Sequence, residues 1–221
     1  RLYLSIARPD SLFITDLQEK FQTAGIEVKN SNLGQLPETT WFHYPSDYLG
    51  DIVHSLNVRS DNLYAESVLR LLSLSDHEKG SAEKGIDIIR KYWQNYEADS
   101  LELFMYDGSG LARNNKVSAK YLNCVLKETA RDSLIGEYFV QTLPLAGKEG
   151  SVATFMKHGE LPGELRLKSG SMSDVHAYAG YYTTPQNRYA IVVMINNYTC
   201  TRAQLKQKIS TLLTQVLSKK E

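Results

Sequence analysis

Cysteine is scarce, with only Cys124 and Cys200 in 221 residues. Two are too few for a disulfide framework or a cysteine-built metal cluster. They fit a reducing compartment or one optional bridge, and counting leaves that choice open. Two free thiols are expected, with Cys124 buried as a small hydrophobe beside Leu122, Val125 and Leu126. An excess of charge is missing as well: 25 Lys+Arg stand against 25 Asp+Glu. That balance offers no basic surface of the kind nucleic acid or an anionic membrane selects, and it favours a small or neutral partner. No apolar run approaches the roughly 20 residues that cross a bilayer, so no transmembrane segment is expected. Glycine and proline, 14 and 6, exclude collagen-like and low-complexity character. The chain opens on Arg1 with no charged-then-apolar leader after it, so no secretory signal is visible.

What is present is ordinary globular material, 42% hydrophobic and 10% aromatic, enough to build a core. Leu2, Leu4 and Ile6 alternate with polar residues as a half-buried strand does. A helix is expected from Asp10 or Ser11 to about Ala24, with Gly25 as its stop. Another runs from about Asp47 to Leu56. The polar corner Ser60-Asp61-Asn62 follows, then an apolar helix through Leu72. Ser81 to Tyr96 is again helical, and Leu101 to Met105 is a short strand. Helical patterns dominate from Ser118 to Met156, broken near Pro144 and Gly147. The period then changes from 3.6 to 2, with strands at Leu165–Leu167, His176–Thr183 and Tyr189–Asn196 and a hairpin turn at Pro185-Gln186-Asn187. An amphipathic helix from Ala203 to Leu217 closes the chain. The class is α+β: one antiparallel sheet with helices packed against it.

His43, His54, His77, His158 and His176 are scattered without metal-ligand spacing, so no metal site is expected. Gly108-Ser109-Gly110 is not a nucleophile elbow, because G-x-S-x-G needs glycine where Asp107 and Leu111 stand. It reads as a strand-ending turn. Ser60-Asp61-Asn62 alone reads as a helix N-cap. Lys168-Ser169-Gly170-Ser171 alone reads as a polar turn between strands with a solvated lysine.

Taken in order, S-x-N followed by K-[ST]-G on a strand is two-thirds of the active-serine signature of β-lactamases and penicillin-binding proteins. The chemistry is coherent for acyl transfer to a substrate ending in a carboxylate. Lys168, Ser169 and Ser171 supply a cation and hydroxyls for that carboxylate. Asn62 supplies an amide that orients the peptide group, and the Ser171 N–H supplies an oxyanion donor. Gly170 lets a substrate lie close to the strand.

Longer segments make the likeness specific. Asn57 to Glu66, Tyr106 to Arg113 with Asn115 and Val117-Ser118, Leu143-Pro144-Leu145-Ala146-Gly147, Gly150-Ser151, Leu167 to Ser171, Ala179-Gly180-Tyr181 and Asn196-Asn197 occur in order. This pattern resembles the D-alanyl-D-alanine carboxypeptidase/endopeptidase family of low-molecular-mass penicillin-binding proteins. The resemblance implies a β-lactamase/transpeptidase-like fold and a periplasmic serine peptidase without metal or organic cofactor. It implies peptidoglycan stem peptides and β-lactam antibiotics as partners. Ser60 would relay a proton, Asn62 would bond the acyl side-chain amide, and Lys168 with Ser169, Gly170 and Ser171 would hold the carboxylate.

The family's S-x-x-K nucleophile segment precedes S-x-N, and nothing before Ser60 matches it. Ser81-Ala82-Glu83-Lys84 does match, but in the wrong order and on a surface helix. The expectation is therefore that residues 1–221 are the C-terminal part of a penicillin-binding, transpeptidase-like domain, inactive alone. Two rivals stand beside it: a non-catalytic module that binds wall peptides, and a β-lactamase-like hydrolase on the same fold. The second should lack the Asp107–Leu111 and Leu143–Gly147 segments, which are present.

Overall fold

The computed structural model describes residues 8–28, 45–74, 79–96, 98–156 and 160–218. The strand expected at Leu2–Ile6 and the Trp41–Tyr44 segment lie outside them. Contacts divide the chain into two units, Arg1–Pro45 and Ser46–Glu221. In the first, helix α1 (Pro9–Thr23) starts on a proline and gives way to Gly25 at φ +72°. Proline suits a first helical position because its missing N–H has no intrahelical partner there.

The second unit is built around a sheet of three antiparallel strands in sequence order, β3 (Glu164–Met172), β4 (Val175–Thr183) and β5 (Arg188–Asn196). Side-chain alternation gives the sheet two apolar faces. On one face Leu165, Leu167, Tyr178 and Tyr182 pack with Leu205, Ile209, Leu213 and Leu217 of helix α7 (Arg202–Leu217) and with Val152 and Phe155. Those four α7 residues recur every fourth position, which places them in one stripe. A Thr201/Gln204 capping box starts that helix. On the other face Tyr181, Ala179, Ala190 and Val192 pack with Leu126 of helix α5 (Ala119–Arg131) and Val140 of helix α6 (Gly136–Thr142). The sheet thus has helices on both faces, as the α+β class expects.

Ahead of it come helices α2 (Leu49–Arg59), α3 (Asn62–Leu71) and α4 (Ala82–Trp93), then the two-residue strands β1 (Leu103–Phe104) and β2 (Lys116–Val117). Two expectations need correction. Lys168-Ser169-Gly170-Ser171 is not a turn but the second half of a nine-residue strand. Its residues are polar because they line an edge left open, so the apolar alternation stops while the pairing continues. Cys124 is half-buried rather than buried; both cysteines are free.

Candidate active site

Helix α2 fixes the first element. Its buried Asn57 donates from Nδ2 to Thr142 Oγ1 at 3.0 Å, tying the helix to α6. The helix ends at Arg59, and Ser60 turns the chain in the left-handed region (φ 54°, ψ 52°). A non-glycine residue there costs on the order of 1–2 kcal/mol, and neighbours must hold it. Asp61, not Ser60, caps the next helix: its Oδ1 accepts the Tyr64 N–H at 3.0 Å. The capping explanation of the corner therefore belongs to Asp61 and leaves the Ser60 hydroxyl free for other work.

The Asp107–Asn115 loop buttresses α3. Asp107 Oδ1 accepts from Gly110 N–H at 2.8 Å and Asn115 Nδ2 at 2.7 Å, and Oδ2 accepts from Ala112 N–H at 2.6 Å. Glu66 Oε1 in turn accepts the N–H groups of Gly108 and Ser109 at 3.0 and 2.9 Å. A Cβ on Gly108 would sit 2.6 Å from the Ala65 carbonyl oxygen, so glycine is needed for the loop to lie against the helix. This segment is scaffold, as its turn chemistry suggests.

Strand β3 supplies the second element. Its outer edge is covered at first: Ala146 N–H donates to Leu165 O at 2.9 Å and Leu167 N–H to Pro144 O at 3.0 Å. Beyond Leu167 that cover ends. Because backbone groups alternate in direction along a strand, Ser169 and Ser171 turn their N–H groups to the same edge as Leu167. Lys168 lies on the face shared with Ala179. Its Nζ donates to Ser60 Oγ at 2.8 Å and to Ser169 O at 2.9 Å. Burial holds the Lys168 ammonium below the ordinary lysine range. No carboxylate pairs with it among the described residues, which leaves it suited to an incoming anion.

A third element was not assigned a role from sequence. The turn at Gly150–Val152 sits against α2, and a Cβ on Gly150 would lie 2.2 Å from the Val58 carbonyl oxygen. That approach brings Ser151 to β3, where the Ser169 hydroxyl bonds the Ser151 hydroxyl at 2.7 Å. Ser151 therefore joins the site; the only signal in the sequence is the Gly150-Ser151 segment of the resemblance.

Of the expected residues, Ser60, Lys168 and Ser169 form one connected hydrogen-bond chain. Asn62 opens α3 and is exposed, with no hydrogen bond to that chain among the described residues. Gly170 and Ser171 are exposed farther along β3. At Gly170 an added Cβ would meet only the Ala177 Cβ, at 4.0 Å. The packing does not demand glycine there. Ser81 caps α4 by accepting the Lys84 N–H at 3.1 Å, which accounts for the out-of-order S-x-x-K match. No grouping of metal-ligating side chains occurs among the described residues.

A family model for D-Ala-D-Ala carboxypeptidase 3 (S13) matches residues 1–219. The chain belongs to that family. It is 25% identical over 221 residues to the D-alanyl-D-alanine carboxypeptidase DacB of Haemophilus influenzae, covering 96% of this chain and 46% of that protein. The crystal structure of penicillin binding protein 4 from Haemophilus influenzae, complexed with a β-lactam, superposes with a TM-score of 0.75 at 23% identity, over 98% of this chain and 53% of that one. A predatory endopeptidase from Bdellovibrio bacteriovorus, in complex with an immunity protein, gives 0.63 at 15% identity over 98% of this chain and 57% of the other. The fold is thus that of the penicillin-binding proteins, as the sequence resemblance implied. The chain spans about half the length of these three relatives.

Proposed function

We propose that this S13 chain carries the Ser60/Lys168 half of a serine-type D-alanyl-D-alanine carboxypeptidase site, as the C-terminal part of a penicillin-binding, transpeptidase-like domain. The observation that carries the proposal is the 2.8 Å bond between Lys168 Nζ and Ser60 Oγ, made across 108 positions of sequence by a strained helix-end residue and a desolvated lysine. Neither packing nor capping asks for that meeting.

In the proposed reaction a serine hydroxyl attacks the carbonyl carbon of the penultimate residue of a peptidoglycan stem peptide. The C–N bond breaks, and the terminal D-alanine leaves with a proton passed through Ser60. Water then hydrolyses the acyl-enzyme. Lys168 attracts the substrate's terminal carboxylate and sustains the proton relay, which works at about 2.6–3.2 Å or through one water. Ser169 and Ser171 grip the carboxylate, the Ser171 N–H on the open edge of β3 faces the oxyanion, and Asn62 bonds the acyl side-chain amide. β-Lactams, which end in the same carboxylate, would acylate the same serine. The work is periplasmic, where the stem peptides are. An endopeptidase activity follows if the leaving group is a longer amine.

The reacting serine is not Ser60, and no S-x-x-K precedes it in the 221 residues. The chain alone should therefore form no acyl-enzyme. Intact-mass spectrometry after incubation with benzylpenicillin tests this, and a stoichiometric mass increase on the 221-residue chain overturns it. In a longer product that includes an S-x-x-K segment, one adduct is expected. There Lys168→Ala and Ser60→Ala should each slow acylation by ~10²–10⁴, and rates near the parent's would remove that residue from the site. The missing S-x-x-K match also favours a second reading, a module that binds wall peptides without turnover. An unacylated longer product would support it.

A further inference from the structure

Away from the Ser60–Lys168 bond, the ends of α3 and α4 and the last turns of α5 line a cavity of about 350 Å³. That is within the usual range for small-ligand sites, on the order of 300–1,000 Å³. One wall is aromatic: the rings of Tyr92, Trp93 and Tyr96 form a mutual cluster with centroids 5.2, 5.6 and 5.1 Å apart. Leu72, Ile88 and Ile89 add aliphatic surface, and Glu128 and Asp132 also line the cavity.

Two features distinguish this cavity from a packing defect. Its apolar lining is open to solvent, with Tyr92 keeping 53% and Leu72 47% of its surface, where a packing void would be closed. Its ionisable side chains are acidic. Asp132 Oδ1 accepts the Leu134 and Ile135 N–H groups at 2.8 and 3.1 Å, and those backbone bonds hold its carboxyl below the ordinary range. Glu128 Oε1 pairs with Arg131 at 2.7 Å. Neither residue's second oxygen has a partner among the described residues. The Tyr96 phenol is raised first by its bond to Tyr92 and further by the charges of Glu128 and Asp132. The site as a whole carries an excess of negative charge over aromatic faces.

We infer that this cavity binds a primary alkylammonium on an aliphatic stem, the group carried by a basic amino-acid side chain. The stem fits the Leu72–Ile88–Ile89 surface. The ammonium lies over aromatic faces, whose quadrupoles attract cations, and within reach of two carboxylates. A neutral ligand of the same shape gains only the apolar contact, and an anion is repelled. The inference is independent of the catalytic proposal, since it uses none of those residues.

Trp41 and Trp93 are the two tryptophans, so a Trp41→Phe background makes Trp93 the reporter. Titration of the 221-residue chain with Nα-acetyl-lysine methylamide should give a saturable change in Trp93 emission that weakens as salt rises. The norleucine counterpart, which keeps the four-carbon stem and lacks the ammonium group, should bind at least about fivefold more weakly. Glu128→Gln and Tyr96→Ala should each weaken the lysine probe about three- to tenfold while circular dichroism stays unchanged. Gly-Lys-Gly against free lysine then separates a peptide-borne side chain from a free amino acid: the one that binds more tightly is the source. Equal binding of the norleucine probe, no saturation with either probe, or unchanged affinity in both folded variants overturns the inference.

Discussion

From Glu164 to Leu167, strand β3 has its outer edge covered by Pro144–Ala146 and its Leu165 and Leu167 side chains sealed against α7; from Lys168 to Met172 the same strand has an open edge and no fully buried residue. The glycines follow the same division. Gly180, paired with Leu167, is compelled by packing, because a Cβ there would lie 2.0 Å from the Arg166 carbonyl oxygen. At Gly170 an added Cβ would meet only the Ala177 Cβ, at an ordinary 4.0 Å. In the first half every residue type has a reason in the fold. In the second half the fold supplies almost none, and the proposed handling of a ligand is what would account for a lysine, two serines and a glycine there.

The contrast breaks if both halves respond alike to mutation. The largest effects belong to the covered half. Leu167 is fully buried, and Leu167→Ala should cost about 2–5 kcal/mol in urea unfolding, the usual range for a buried leucine left as a cavity. Gly180→Ala should be as damaging, since the obstructing atom is backbone and cannot swing away. A loss under about 1 kcal/mol for Leu167→Ala would show that α7 does not seal the sheet as described.

Lys168→Met should be much milder for stability. The substitution loses the bonds to Ser60 and the Ser169 carbonyl, but it also relieves the desolvation that depresses the lysine. Those opposed terms are each about 1 kcal/mol, so a net change within ~1 kcal/mol is expected from urea unfolding. A loss of 3 kcal/mol or more, the roughly 3–5 kcal/mol scale of a broken buried ion pair, would make Lys168 structural and weaken its assignment to ligand binding.

How far the site was legible follows the same division. The meeting of Ser60 with Lys168 was readable because S-x-N and K-S-G are sequence motifs with a shared chemistry. The cap at Asp61 was not, because Ser, Asp and Asn are all good caps and only the left-handed turn at Ser60 decides which one serves. The strand through Lys168-Ser169-Gly170-Ser171 looked like a turn, since an open-edge polar strand shows no apolar period. Ser151 and Glu66 gained roles only in three dimensions. Each acts through contacts 18 and more than 40 positions away, Ser151 with Ser169 and Glu66 with Gly108 and Ser109. No local pattern encodes such pairings. Helices α4, α5 and α7, by contrast, were readable from Ser81, Ser118 and the 203–217 stripe, where capping and periodicity agree.

A pH effect should come from the core side of β4. His176 is buried edge-on against Tyr178, opposite Ser171, and neither ring nitrogen has a partner among the described residues. Burial lowers its pKa, and the charges of Lys206 and Arg202 on α7 add to that. With the folded value below the unfolded 6.5, the unfolded state binds more protons as pH falls below 6.5, so stability should drop there. Urea midpoints at pH 7.5 and 5.0 measure the drop, and His176→Phe should flatten it. An unchanged slope in His176→Phe would assign the effect to another group.

The smallest expected effect is the most discriminating. Gly170 has no positive φ, and the nearest atom to an added Cβ is 4.0 Å away. Alanine is therefore accommodated without strain, and it should restrict the unfolded chain more than glycine does. Gly170→Ala is expected to leave stability unchanged or raise it by a few tenths of a kcal/mol, up to about 1 kcal/mol. The new methyl would project from the face that carries Lys168, beside the open edge where a ligand backbone would run. In a longer product with an S-x-x-K segment, the same substitution should slow β-lactam acylation while the urea midpoint holds or rises. A destabilised variant would mean that glycine is required by the strand itself, and the division between the two halves of β3 would fail. A stable variant acylated at the parent rate would keep the division and move the ligand off this edge.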